Sequence, residues 1–288
     1  MDKQLKDAFT LMRIPFSVFL LPIYWFALSN TPNYDTYTAL LIFVVLHIFV
    51  YPASNGYNSY YDKDEDSIGG IKQPPKVNEK LYWLVIAFDV IAIALALCVN
   101  ITFALLMLVC LLLSKAYSYD KIRLKKYPIL STIITTVFQG SIVYASIQIG
   151  LGLSWEYILS FPNWLFALFS TLFLCGSYPI TQIYQHDEDR KRGDITLSIL
   201  LGIWGTFAFA VLSFTLSIVV LAIAYWHTGN LYKLGYFLPF ILPVLGFLLY
   251  WMYLVKQNPA AVNYENTMKM SAISSLCFNL AFIFMLWL

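Results

Sequence analysis

Charged side chains are scarce in this chain: Asp, Glu, Lys and Arg make up 12% of 288 residues, against 60% hydrophobic residues. That balance argues against a soluble domain, in which about a quarter of residues are charged. The formal net charge of +2 is too small to suggest a nucleic-acid partner. Cysteine is sparse as well. Cys98, Cys110, Cys175 and Cys277 all fall inside apolar runs, without the paired spacing of a metal site or a disulfide framework. His186 adjoins an acidic stretch but has no second histidine near it, which argues against zinc. A cleavable signal peptide is not expected either, because Pro15 and Pro22 interrupt the first apolar stretch and no small-residue cleavage site follows.

What the chain has instead is long apolar runs. With the bilayer as solvent, each span satisfies its backbone internally as a helix. The runs predict nine spans, at roughly 11–29, 38–57, 81–98, 102–119, 129–149, 161–182, 197–226, 235–255 and 269–287. Residues 1–10 suit a short helix lying in the interface. The seventh run exceeds the ~20 residues that a span requires, so tilt or a projecting end is expected. Residues 81–114 are too long for one span and fit two, with Asn100 at the turn. Lys63, Lys72, Lys76 and Lys80 precede that run; Lys115, Lys121, Arg123, Lys125 and Lys126 follow it. Basic residues gather on the cytoplasmic side, so both flanks are expected there and the run is a hairpin. On this scheme every Lys and Arg except Lys233 falls on one face, with the N-terminus inside and the C-terminus outside. The expected fold is therefore all-α: a polytopic bundle of nine transmembrane helices around a polar-mouthed cavity. The abundant aromatic residues, 18% of the chain, are expected to serve mostly as membrane belt and packing.

Against this background two polar stretches stand out. The first is NSYYDKDED, Asn58 to Asp66, after the second span. On a continued helix Asn58, Asp62 and Asp66 stand at i, i+4 and i+8, on one face. Such oxygen ligands suit a hard cation such as Mg²⁺, which takes carboxylates together with phosphate oxygens and water. The plainer reading is a solvated helix end. The second stretch, QHDEDRKRGD from Gln185 to Asp194, follows the sixth span with the same acid-and-base character. Acids at the edge of a membrane bundle usually mark a functional site. The loop after the fourth span supplies Tyr117, Lys121, Arg123, Lys125 and Lys126, partly as the positive-inside signal; Lys121 and Arg123 are the pair favoured for holding phosphate. Asp89 lies inside a span, as a structural acid or as part of the polar cavity. His47 reads as a packing residue. Gln139, Gly140, Ser141 and Tyr144 would suit either an acceptor pocket or close helix packing.

The pattern NxxxDxxxD, with a second acidic motif over a hundred residues later, resembles the UbiA superfamily of intramembrane prenyltransferases. Asn58, Asp62 and Asp66 match the first motif without change, and YSYDKIRLK resembles the family's YxxxK loop at Tyr117 and Lys121. In the second motif Asp189, Gly193, Thr196 and Leu197 match, whereas Gln185 stands where the family has Asp. Lys72 stands where the family often has Arg. The resemblance covers nearly the whole chain and implies a single UbiA-like domain over 1–288. It also implies Asn58, Asp62, Asp66, Gln185 and Asp189 as Mg²⁺ ligands, with Tyr117, Lys121, Arg123 and Lys72 on the diphosphate. The activity implied is transfer of a prenyl chain from a polyprenyl diphosphate to a hydrophobic, aromatic acceptor, with Asn58, Asp62, Asp66, Asp189 and Lys121 in catalysis. A membrane terpene synthase of the same fold and a non-catalytic isoprenoid-binding protein are the alternatives. A transporter fits less well, since no internal repeat appears and the acids gather at one face.

Overall fold

The computed structural model describes residues 2–288, and among them every regular element is a helix, apart from one isolated pairing of Ile68 with Ile71. Among the described residues eight helices are long and apolar enough to cross a membrane: Thr36–Asp62, Glu79–Val99, Ile101–Ser118, Pro128–Gly150, Phe161–Gln182, Leu197–His227, Tyr232–Gln257 and Tyr264–Met285. A ninth is obtained if Lys3–Phe19 and Leu21–Ser29 are counted as one broken span. The protein is thus a polytopic membrane protein, with spans close to those expected.

The first expected span is the one that differs. Helix α1, Lys3–Met12, ends at Arg13, whose φ of 51° is left-handed; a 3₁₀ stretch, Ile14–Phe19, follows, and α2 is Leu21–Ser29. Pro15 and Pro22 lack the N–H that a continuous helix needs, and Pro22 instead sits in the first turn of α2.

By packing the chain divides into two compact units. The first comprises Met1–Val18, Asn33–Lys125 and Ser146–Gly152. It contains α1, the span of α3 (Thr36–Phe43) and α4 (Tyr51–Asp62), and the hairpin of α5 (Glu79–Val99) and α6 (Ile101–Ser118). A wide π-helical stretch, Val44–Val50, joins α3 to α4, and π turns within α-helices are often found at functional sites. Gly56 lets α4 close on its neighbours: a Cβ there would lie 2.4 Å from Met12 Sδ and 2.9 Å from Val85 Cγ2. His47 is buried with Nδ1 3.2 Å from the Ser17 carbonyl, in keeping with a packing role.

The hairpin turns on one residue. Asn100 ends α5 and caps α6, its Oδ1 accepting from Phe103 N at 2.8 Å while Nδ2 donates to the Ile149 carbonyl at 3.0 Å. Asp89 and Lys115 form an ion pair at 2.9 Å. At 1.5 Å per residue one continuous helix would hold them roughly 39 Å apart, so the chain has folded back on itself.

The second unit comprises Phe19–Pro32, Lys126–Ala145 and Leu153–Leu288. It holds α2, α7 (Pro128–Val137), α9 (Trp155–Ile158), α10 (Phe161–Gln182), α11 (His186–Arg192), α12 (Leu197–His227), α13 (Tyr232–Gln257) and α14 (Tyr264–Met285). A further helix, α8 (Val143–Gly150), begins in this unit and continues into the first. The second unit's core is aromatic: Phe26, Phe169, Phe237 and Phe282 are fully buried, and Phe237 and Phe282 stack at 5.4 Å. Gly140, in the π-helical stretch Phe138–Ile142, meets α10 backbone to backbone, where a Cβ would lie 2.7 Å from Thr171 Cα. Ser141 Oγ donates to the Ala167 carbonyl at 2.7 Å, and Tyr144 donates to Asn163 Oδ1 at 3.0 Å. Small and polar residues here serve close helix contact, the packing alternative of the sequence. The long α12 is broken at Gly202 (φ 67°, ψ 177°), which separates its first turn from the apolar span.

Candidate active site

The first acidic motif is built on the end of α4. Asn58 and Asp62 are one turn apart, and Asn58 Nδ2 donates to Asp62 Oδ2 at 2.7 Å and to Ser118 Oγ at 3.1 Å. Asp62 Oδ1 accepts from Lys125 Nζ at 2.5 Å, and Arg123 Nη2 lies 3.7 Å away. The Asp62 side chain is only 5% exposed, so a carboxylate held this deeply depends on those partners. The helix stops there. Lys63 adopts φ 51° and closes α4 with a bond from its N–H to the Ser59 carbonyl. Asp66 therefore does not share the face of Asn58 and Asp62; it lies exposed in the following loop, because a left-handed residue ends the helical register.

That loop is tied to the first unit by Arg13, which the sequence reading did not single out. Its guanidinium donates to the Asn55 carbonyl at 3.2 Å and the Gly69 carbonyl at 3.4 Å, and lies 5.6 Å from the centre of the Phe16 ring. The ring fills the space under Gly69, where a Cβ would come within 2.6 Å of it. Lys72, a few residues on, is exposed.

In the basic loop the two favoured residues separate. A tight turn, with the Ile122 and Arg123 N–H groups both on the Tyr119 carbonyl, buries Arg123 beside Asp62 and leaves Lys121 exposed. Arg123 also donates to Asp120 at 3.1 Å. The buried lysine on Asp62 is Lys125, four positions on from Lys121. Tyr117 is half-buried near the end of α6.

The second motif has its own architecture. After α10 ends at Gln182, Gln185 occupies the N-cap position of the short α11, its carbonyl accepting from Asp189 N at 2.9 Å. Three acids fill the first turn and three bases the last, each complementing the helix dipole. Asp189 is buried and accepts from Arg192 Nη2 at 3.3 Å, while Arg192 Nη1 lies 3.8 Å from Glu188. Gly193, with φ 75°, closes the helix, and Thr196 caps α12 by accepting from Ile199 N. His186 Nε2 is 2.7 Å from Ser198 Oγ; burial, with a smaller effect from Arg190, lowers its pKa.

Among the described residues no three His, Cys, Asp or Glu side chains converge as a metal cage. The donors at the first motif are the Asp62 carboxylate and the Asn58 amide oxygen. This hard, sparse set fits Mg²⁺, which usually takes one or two carboxylates plus substrate phosphates and water. The Lys125 ammonium already marks a place where a cation is stabilised on Asp62.

The sequence model of the UbiA prenyltransferase family matches residues 18–273. The chain belongs to this family. It is accordingly a membrane-embedded prenyltransferase. Comparison with curated protein sequences gave no match. Among solved structures, a UbiA homolog from Archaeoglobus fulgidus bound to GPP and Mg²⁺ is similar with a TM-score of 0.70 at 18% identity, over 98% of this chain and 100% of the other. A UbiA homolog from Aeropyrum pernix gives 0.69 at 19% identity, over 94% and 98%. A digeranylgeranylglyceryl phosphate synthase gives 0.59 at 20% identity, over 98% and 99%. These likenesses show that the chain has the UbiA fold. Within that fold, Asn58, Asp62 and Arg123 are brought together in the first unit and Gln185 with Asp189 in the second. Asp66, Lys72 and Lys121 are exposed. Arg13 and Ser118 carried no motif signal, whereas Lys125 stood in the basic loop and was hidden by its neighbours of equal charge.

Proposed function

We propose that this UbiA-family prenyltransferase moves a prenyl chain from a polyprenyl diphosphate to a hydrophobic, aromatic acceptor, using Mg²⁺ and working as one domain over 1–288. The family match, which runs through both units, supports the single domain. The observation that carries the reading is Asp62: a buried carboxylate at a helix end, with an amide one turn before it and two bases against it. Asn58 and Asp62 would hold Mg²⁺ at the first motif, with Asp66 reaching in from its loop; Asp189 and Gln185 would hold it at the second. When bound, Mg²⁺ neutralises charge building on the departing diphosphate. Arg123 offers paired donors to phosphate oxygens, and Lys125, released from Asp62, supplies a movable positive charge. Lys121, Lys72 and the Tyr117 hydroxyl are proposed to complete the diphosphate contacts. The allylic C–O bond breaks with its electron pair leaving on diphosphate. The new bond forms at the acceptor, which loses a proton.

The N-terminus and both motifs are proposed to be cytoplasmic and the C-terminus outside, on the strength of the basic flanks. Diphosphate release by the purified protein tests the reading. Release that requires both Mg²⁺ and an acceptor supports transfer; release without acceptor points to a terpene synthase, and no release to a binding protein. Phenolic acceptors and a prenylated glycerol phosphate form the acceptor panel, the latter because of the likeness to digeranylgeranylglyceryl phosphate synthase.

A further inference from the structure

A groove of about 540 Å³ lies against α4, α5 and α6, within the size range of small-molecule sites. Its polar end is formed by Asp89, Lys115, Tyr57 and Tyr82. Its apolar floor includes Ile86, Ile93 and Leu111. Val90 and Leu112, 64% and 60% exposed, stand at its mouth, so the groove opens on the lipid-facing surface of the hairpin. Lys115 Nζ bonds Asp89 at 2.9 Å and lies 4.9 Å from the centre of the Tyr57 ring. Both charged side chains are still 17% exposed, so the pair is reachable from the groove.

We propose that this groove binds a neutral membrane amphiphile headed by a hydroxyl or phenol, independently of the catalytic motifs. Charge complementarity at the Asp89–Lys115 pair selects the headgroup. An anionic headgroup at Lys115 would meet the Asp89 carboxylate, and a cationic one at Asp89 would meet the ammonium. A hydroxyl satisfies both, accepting a hydrogen bond from Lys115 and donating one to Asp89. The lining away from the pair is aliphatic, suited to the chain of such a lipid. Ionisable residues inside a membrane are costly and usually functional, and these two are the only charged residues of the hairpin beyond Glu79 and Lys80 in its first turn.

Three photoreactive probes of one alkyl chain, ending in alcohol, carboxylate or amine, are cross-linked to the full-length protein in lipid nanodiscs, and labelled peptides are mapped by mass spectrometry. Saturable labelling of α5 and α6 by the alcohol is expected, with the charged probes at least about tenfold weaker because each places like charges together. Ile93→Trp, which fills the floor and keeps the ion pair, is expected to abolish saturable labelling and leave diphosphate release unchanged. Leu108→Phe, at the edge of the groove, serves as the second blocking variant if the first fails to fold. Equal, non-saturable labelling by all three probes, unaffected by either variant, would mean bulk lipid only and overturn the proposal. So would preference for the carboxylate or the amine.

Discussion

Asp62 and Lys125 make an ion pair at 2.5 Å with side chains only 5% and 7% exposed, and its two members have unequal fates when one is removed. Lys125→Ala strands a buried carboxylate, whose loss of a partner costs about 3–5 kcal/mol. Arg123, 3.7 Å away, offsets part of this. The metal-free Lys125→Ala protein is therefore expected to melt well below wild type, and added Mg²⁺ to restore much of the difference. Lys121→Ala, at an exposed position, is expected to change stability by less than about 0.5 kcal/mol. Equal melting of the two variants without Mg²⁺ would remove the pair from the account. At the second motif Gln185 contributes oxygen without charge. Asp189→Ala is expected to abolish activity and Gln185→Ala to reduce it modestly. Gln185→Asp is expected to lower the Mg²⁺ concentration for half-maximal rate, read by titrating activity; a higher requirement would give the amide a role of its own. The sequence made the acids legible because charge in an apolar chain is rare. It favoured Lys121, whereas the lysine turned inward onto Asp62 is Lys125, because which base turns inward depends on the backbone of the Tyr119–Arg123 turn.

The helices were legible wherever a long apolar run meets a polar break. Phe161–Gln182 coincides with the sixth expected span, and Asn100 is the turn that charge on both flanks required. Asn100→Ala removes the cap on Phe103 N and is expected to destabilise the protein by about 1 kcal/mol, seen as a lower midpoint of thermal unfolding. Two features stayed hidden. The end of α4 is set by a left-handed Lys63, a residue without turn preference, so the i+8 position of Asp66 looked continuous on paper. The break in α12 rests on Gly202, whose φ of 67° and ψ of 177° suit glycine almost alone; an apolar run does not reveal it. Gly202→Ala is expected to cost about 1–3 kcal/mol or to straighten the helix, and wild-type stability would argue against the kink.

Each of the two compact units carries one acidic motif and its own bases, and the family match runs through both. Hydropathy made the multi-pass class plain, and the charge asymmetry gave a topology that can be tested directly. Reporters fused after Lys80 and after Lys126 should both report the cytoplasmic side, since α5 and α6 return the chain to the face it left. Opposite sides would contradict the proposed orientation. Asp62 is proposed to act on the diphosphate through Mg²⁺, and this is tested by diphosphate release from purified wild-type and Asp62→Asn proteins, at saturating Mg²⁺ with donor and acceptor. A fall of at least about a hundredfold is expected, the order seen when charge stabilisation of the transition state is lost. Near-normal release from the folded Asp62→Asn protein would contradict the account.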